Sequence, residues 1–261
     1  MQTTSLLPEP KLLPLGDEAW TVEFGEVIDP QVHARVLGFA AALERERSSG
    51  GTVYDFIVDV VPTFRSLTVY YHPPLDHPEP LGEQLGQALL ELAARASSVS
   101  AVGRQWLIPV CFDADLAPDL AEVAATKGLS PDDVIALMTG ANFQVYMVGF
   151  MPGFPYMGGL PGVLEMPRLA SPRTAVPARS LGITGTMCAV YPWESPGGWR
   201  LIGRTPVPFF SMRESGSPSL LVSGDRVRWR AIGRSEFDAL EEAGRAGVLE
   251  RRQFLLAEGG A

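Results

Sequence analysis

Hydrophobic and polar positions along this chain follow two patterns, which change near residue 100. Lys11 to Pro14 is a short apolar run and Leu15-Gly16-Asp17 a turn. Trp20 to Phe24 then sets Trp20, Val22 and Phe24 against Thr21 and Glu23, the period-two alternation of a half-buried strand. Asp29 before Pro30 supplies a helix N-cap and a proline at the first helical position. Val32, Val36, Leu37, Ala40 and Leu43 line up behind them as one apolar stripe, and Gly50-Gly51 ends the run. Thr52 to Val61 and Ser66 to Tyr71 are β-branched and aromatic, joined by Pro62-Thr63-Phe64-Arg65, and an amphipathic helix with Leu81, Leu85, Leu89 and Leu92 follows. The order β, β, α, β, β, α over residues 1–98 predicts a small sheet with helices on one face.

Ser97 to Gly103, small and polar, is the candidate linker. Beyond it Trp106 to Phe112 reads as a strand. Pro118 to Lys127 and Pro131 to Thr139 read as short helices, the second capped by Ser130 with Asp133 three residues on, and Gly128 and Gly140 stop them. From Phe143 the pattern is short β segments between Gly/Pro turns. They end in Leu220 to Ile232, where Val227, Trp229 and Ala231 alternate with Arg226, Arg228 and Arg230. That predicts a barrel or sandwich over residues 104–232. Residues 233–261 form a tail with a charged helix, Glu236 to Arg252, whose Phe237, Leu240 and Leu249 could dock on the body.

The formal net charge of −9 and the lack of any basic run argue against a nucleic-acid or anionic-membrane partner. Only Lys11 and Lys127 are lysines, so positive charge is almost all arginine, a composition bias that also suits bidentate recognition of carboxylate or phosphate. Cys111 and Cys188 lie in apolar stretches without metal-ligand spacing, as expected of a reducing cytoplasm. The start lacks a basic region followed by an apolar core, and no window is long and apolar enough to span a bilayer. His33, His72 and His77 all fall in the first unit. That leaves the second without a Ser-His-Asp or Cys-His arrangement and without the usual zinc ligands, and no metal site is expected. Neither GxxxxGK[ST] nor a GxGxxG before a helix occurs, so any use of nucleotide relies on another architecture or on a partner.

Candidate chemistry concentrates between Gly149 and Pro206, where 58 positions hold 10 Gly and 9 Pro. Such a mixture builds rigid irregular backbone, where sites usually sit. Arg168, Arg173, Arg179, Arg200 and Arg204 accompany Glu194, Tyr156, Tyr191 and Trp199 there. Guanidinium groups with glycine N–H donors make a sensible anion site. Glu194 could act as acid or base, or be held in a structural ion pair. Phe150, Phe154 and Tyr156 could cover a pocket, or pack the barrel core.

GFMPGFPYMGGLP at 149–161, SPRTAVPARSLGI at 171–183 and YPWESPGGWRLIGRTP at 191–206 resemble the allophanate hydrolase subunit 1 family. That family includes the B subunits of 5-oxoprolinase and KipI-type kinase inhibitors, and is similar to subdomains C and D of the urea carboxylase carboxyltransferase domain. LLPLGDEAWTVEFGEVIDP at 12–30, VPTFRSLTVYYHP at 61–73 and PDLAEVAATKGLSPDDVIAL at 118–137 extend the likeness over nearly the whole chain. The resemblance implies an α+β protein, with a ferredoxin-like α/β domain followed by a cyclophilin-like β-barrel. It also implies partners, a subunit 2 protein (the C-type component) and a LamB/YcsF-type protein (the A-type component). With them the complex would open 5-oxoproline to glutamate at the expense of ATP bound at a shared site.

On that reading Glu194 and Arg204 are the catalytic candidates, with Glu194 handling a proton and Arg204, together with Arg173, holding an anionic substrate or phosphate. Phe154, Tyr156, Tyr191 and Trp199 wall the pocket, and Gly197 and Gly198 offer backbone contacts. The chain departs from the family at Met138, where a histidine is usual, and at Gly185-Thr186-Met187-Cys188, where a Gly-Gly-Gln-Thr-like stretch is usual. Arg179 stands where a small VPAGS-type residue is usual, and Phe112-Asp113-Ala114-Asp115 replaces a glycine-rich turn. If those positions touch substrate, specificity is altered or catalysis lost. The alternatives are a protein inhibiting a sensor histidine kinase and the carboxyltransferase half of a biotin-dependent system.

Overall fold

A computed structural model describes residues 8–72, 80–96, 103–214 and 217–257. The chain divides into two compact units between residues 101 and 102. The expected linker falls, except for Gly103, outside the described residues, as does His77.

In the first unit β1 (Lys11–Pro14) and β2 (Ala19–Glu23) form a hairpin, followed by α1 (Pro30–Ser49), β3 (Ile57–Pro62), β4 (Ser66–Tyr71) and α2 (Leu81–Arg95). The sheet order is β1-β2-β4-β3 with every pair antiparallel. β2 and β3 are therefore parallel with β4 between them, a split βαβ crossover through α1. β1 takes the place beside β2 that a strand following α2 occupies in the ferredoxin-like order, so the unit is that fold with its last strand moved to the front. The Asp29 carboxylate accepts from the N–H groups of Gln31 at 2.7 Å and Val32 at 3.3 Å, starting α1 as its sequence predicts.

Two expectations in this unit are corrected. The stripe that α1 buries is Val32, Val36, Phe39 and Leu43, with His33 also buried, whereas Leu37 and Ala40 are half-buried. Phe39 wins the inner face because its ring meets Phe24 at 5.6 Å. The strand expected from Thr52 begins at Ile57 instead, since Thr52 and Asp55 cap each other and wind Val53–Phe56 into a 3-10 turn.

The second unit holds β5 (Gln105–Cys111), α3 (Leu120–Lys127), α4 (Pro131–Gly140), β6 (Phe143–Val148), β7 (Pro155–Gly158), β8 (Arg173–Val176) and β9 (Ser180–Thr184). β10 (Met187–Val190), β11 (Ser195–Gly197), β12 (Arg200–Arg204), β13 (Arg226–Ile232), α5 (Arg234–Ala246) and β14 (Leu255–Ala257) complete it. Seven strands run β12-β9-β10-β7-β6-β13-β5 and close where Arg204 pairs with Cys111. β14 adds to the other end of β5, with Leu255 opposite Trp106, while β8 and β11 make a separate ribbon. The barrel is filled by Trp106, Ile108, Val145, Met157, Ile183 and Trp229, among others.

Three sequence boundaries move. The last long strand starts at Arg226 rather than Leu220, and its alternation slips at the end, leaving Ala231 exposed and Ile232 buried. The C-terminal helix ends at Ala246 because Gly247 turns left-handed at φ 75°, so the tail beyond it forms a 3-10 turn and then β14. The first helix of this unit starts at Leu120 rather than Pro118.

β13 and β5 pair in parallel over seven residues, from Arg226 opposite Gln105 to Ile232 opposite Cys111. Asp225, 1% exposed, pins the start of this ladder. Its carboxylate accepts from Arg104 Nε at 3.0 Å and Nη2 at 2.6 Å, from Trp106 Nε1 at 3.2 Å and from the Val222 N–H at 3.0 Å. Beside it a Cβ on Gly103 would lie 2.1 Å from the Gly224 carbonyl oxygen, an approach open only to glycine. Removing one partner of a buried ion pair strands the other donors. Asp225→Ala should accordingly lower the unfolding free energy by about 3 kcal/mol, and Asp225→Asn by less. Urea unfolding followed by tryptophan fluorescence measures this, and an unshifted midpoint for Asp225→Ala would contradict the role.

Candidate functional site

The loop between β6 and β7 is shaped by its backbone. The Gly149 N–H donates to the Phe154 carbonyl at 3.0 Å, and the Phe154 N–H to that of Met151 at 3.1 Å. Gly153 takes φ 78°, with a hypothetical Cβ only 2.9 Å from the Phe209 carbonyl oxygen, so the turn requires glycine there. Phe150 also lies left-handed, at φ 70°, and is 67% exposed. A bulky residue held in that region stores strain, which clusters at functional sites.

This turn drives Phe154 into the middle of an aromatic group. Its ring centroid lies 4.9 Å from Tyr156, 5.1 Å from Tyr191 and 6.0 Å from Trp199. Phe154, Tyr191 and Trp199 are buried and form, with Val176, Ala189 and Leu201, a small core distinct from the barrel interior. Of the four predicted wall residues only Tyr156 is half-buried, packing with Met151 and Met187 against the others. Gly197 and Gly198 are both buried, and the Tyr191 ring explains the first: a Cβ on Gly197 would fall 2.5 Å from the Tyr191 hydroxyl. Burial pushes the hydroxyls of Tyr156 and Tyr191 above the usual tyrosine range, while the Arg168 charge nearby opposes that shift. Both hydroxyls are thus protonated donors at neutral pH.

Arg173 is engaged elsewhere. Its Nη2 donates to Asp119 Oδ1 at 2.6 Å and its Nη1 to the Trp199 carbonyl at 3.4 Å. The second Asp119 oxygen accepts from the Leu201 N–H at 2.6 Å, and the Asp119 N–H returns a bond to the Leu201 carbonyl at 2.9 Å. The guanidinium expected to receive substrate therefore already holds β8 to the start of α3. Arg168 is exposed and makes no hydrogen bond or ion pair among the described residues, yet its charge acts on both tyrosine hydroxyls. Sequence alone ranks it only among the arginines of the region, because residue type gives no sign of which guanidinium is already paired.

Glu194 is exposed, in the turn before β11, and has no ion pair among the described residues, so the structural-pair alternative for it is set aside. Arg204 stands apart from the aromatic group, at the end of β12 beside Arg179 and α5. Arg200, the remaining arginine of the region, bonds Glu122 at 2.6 Å.

The departures from the family pattern fall in different surroundings. Met138 and Cys188 are fully buried in the barrel core, and burial pushes the Cys188 thiol well up. Met187 alone of these three packs on the aromatic group. Arg179 occupies a left-handed position at φ 67°, which suits the small residue usual there. Among the described residues no three His, Cys, Asp or Glu side chains gather where a metal could sit, and no helix is long and apolar enough to cross a membrane.

Residues 10–221 match the model of the carboxyltransferase domain, subdomains C and D. The chain is 39% identical over 236 residues to the B subunit of the Bacillus subtilis 5-oxoprolinase, covering 87% of this chain and 95% of that one. Among solved structures, TTHA0988 matches with a TM-score of 0.68 at 33% identity over 82% of this chain, which spans only 40% of the TTHA0988 chain. The Kluyveromyces lactis urea amidolyase, at 20% identity and a TM-score of 0.72 over 95% of this chain and 16% of its own, is alike in fold. The chain belongs to the carboxyltransferase-domain family of subdomains C and D, together with the 5-oxoprolinase B subunits.

Proposed function

We propose that this protein is one component of an ATP-dependent amidohydrolase of the 5-oxoprolinase type, working with a subunit 2 protein and a LamB/YcsF-type protein as its C-type and A-type partners. The site observation that supports the reading is the unpaired guanidinium of Arg168 beside the protonated hydroxyls of Tyr156 and Tyr191. The substrate 5-oxoproline presents a carboxylate and a lactam carbonyl. Arg168 suits the first as a bidentate donor, and a tyrosine hydroxyl at the same edge suits the second. Glu194, solvent-reachable and without a competing cation, is available to take or give a proton at the opening ring. Gly197 and Gly198 bring backbone close to the same aromatic edge. ATP, at a site completed by the partners, would supply activation of the lactam carbonyl.

The inhibitor alternative drew its support from the loss of the family's usual histidine and glutamine, at Met138 and Met187. Met138 belongs to the barrel core, so its identity is a packing matter, whereas Met187 packs on the aromatic group and keeps that alternative in play.

In a reconstituted complex, release of glutamate from 5-oxoproline should need ATP and this chain, and should stop when any component is omitted. Glu194→Gln should reduce kcat by about 10²- to 10⁴-fold, the usual range for a lost acid–base group, and unchanged turnover would remove Glu194 from the mechanism. Arg168→Gln should raise KM for 5-oxoproline by roughly 10- to 100-fold with a smaller effect on kcat, as expected for a lost charge-assisted pair. Steady-state kinetics that leave KM unaltered would assign the carboxylate to another group.

A further inference from the structure

At the closing seam of the barrel, where β12 meets β5, a second group of charges lies outside the aromatic cluster. Arg204 ends β12 and is half-buried, with its Nε donating to the Ala178 carbonyl at 2.9 Å. Its two terminal nitrogens, with four N–H donors, have no hydrogen bond or ion pair among the described residues. Arg179 stands beside it with its own Nη1 on the Pro206 carbonyl at 3.0 Å and its Nη2 on Glu241 of α5 at 2.5 Å. Glu241 is shared with Arg245 at 2.9 Å, and Asp115, the other carboxylate acting on Arg204, is bound to Arg234 at 2.7 Å. Both carboxylates that act on Arg204 thus already have a guanidinium of their own.

These terminal donors have no acceptor among the described residues and are not buried away from solvent, so they are open to a ligand, and guanidinium donors meet planar or tetrahedral oxyanions best. Burial and the neighbouring Arg179 charge both work against the cationic form of Arg204, and an anion in contact with both groups relieves that tension. The left-handed backbone at Arg179, with its N–H on the Tyr191 carbonyl, fixes the second guanidinium toward the seam rather than leaving it to fray.

We infer that Arg204, supported by Arg179, binds a small oxyanion, a phosphoryl or carboxylate group, at the β12–α5 corner of the barrel. Neither guanidinium bonds a side chain of the aromatic group, although the Arg179 backbone meets that of Tyr191, and every group named belongs to this chain. The site is therefore testable on the isolated protein, independently of the hydrolase reading.

The test is a titration of the full chain by isothermal calorimetry and thermal melting, with inorganic phosphate in one arm and 5-oxoproline in the other. Sodium chloride at matched ionic strength is the control. Saturable binding of phosphate in the low-millimolar range or tighter, weakened at least tenfold by Arg204→Gln and unaffected by Arg168→Gln, is the expected result. A response to 5-oxoproline alone, abolished by Arg204→Gln, would identify the anion as a carboxylate. If Arg204→Gln fails to fold, Arg204→Lys keeps the charge but loses the fork, and the same weakening is expected of it. Wild-type protein that responds to neither anion beyond chloride, or a folded Arg204 variant that binds as tightly as wild type, would overturn the inference. If the reconstituted complex were nonetheless active, the hydrolase reading would be left standing.

Discussion

The wall of the candidate site hangs on one buried carboxylate. Asp119, with its side chain 7% exposed, spends one oxygen on Arg173 and the other on the Leu201 N–H, and its own N–H reaches back to Leu201. Those bonds tie the start of α3 to β12 and to the β8 ribbon, and Leu201 is part of the aromatic cluster. The placement of Gly198 and Trp199 depends on this tie, because both sit on the short stretch between the end of β11 in the ribbon and β12. A carboxylate with both oxygens used in a dry setting holds geometry better than an apolar contact, which specifies no direction.

Most of the fold was legible because its signals are local. Leu81, Leu85, Leu89 and Leu92 of α2 all face inward as their spacing predicts, and Asp29-Pro30 and Ser130 start their helices as capping chemistry requires. What was not legible came from competition between neighbours at similar distance. Thr52 and Asp55 satisfied each other before the strand could begin, and Phe39 displaced Leu37 from the inner face because a ring partner lay across from it. β14 gives no alternation long enough to announce a strand, and its pairing with β5 is purely tertiary.

The site divides in the same way. That the backbone between Gly149 and Pro206 is rich in turns could be read from glycine and proline alone, because those residues mark backbone that cannot ladder. Which arginine is free could not be read at all. Arg168, Arg173, Arg179 and Arg204 are alike in sequence, and only Asp119 and Glu241, 54 residues before Arg173 and 62 after Arg179, sort the occupied from the unoccupied. The four aromatics expected to wall a pocket do pack together, but three of them sit buried as a foundation, leaving Tyr156 to offer a surface.

The seam around β5 carries a consequence for how the chain is made. β5 is the first strand of the barrel to leave the ribosome, yet its partners are β13, β14 and the last residue of β12. At a synthesis rate of roughly 5–20 residues per second, β5 waits on the order of ten seconds before β13 exists to pair with it. During that interval an apolar strand has no sheet to join, a state in which exposed edges invite wrong pairing. The first unit, whose strands all precede residue 72, has by then every element of its own sheet and can fold ahead of the barrel. Order of synthesis therefore gives this protein one early domain and one late one, with closure of the barrel as the last event.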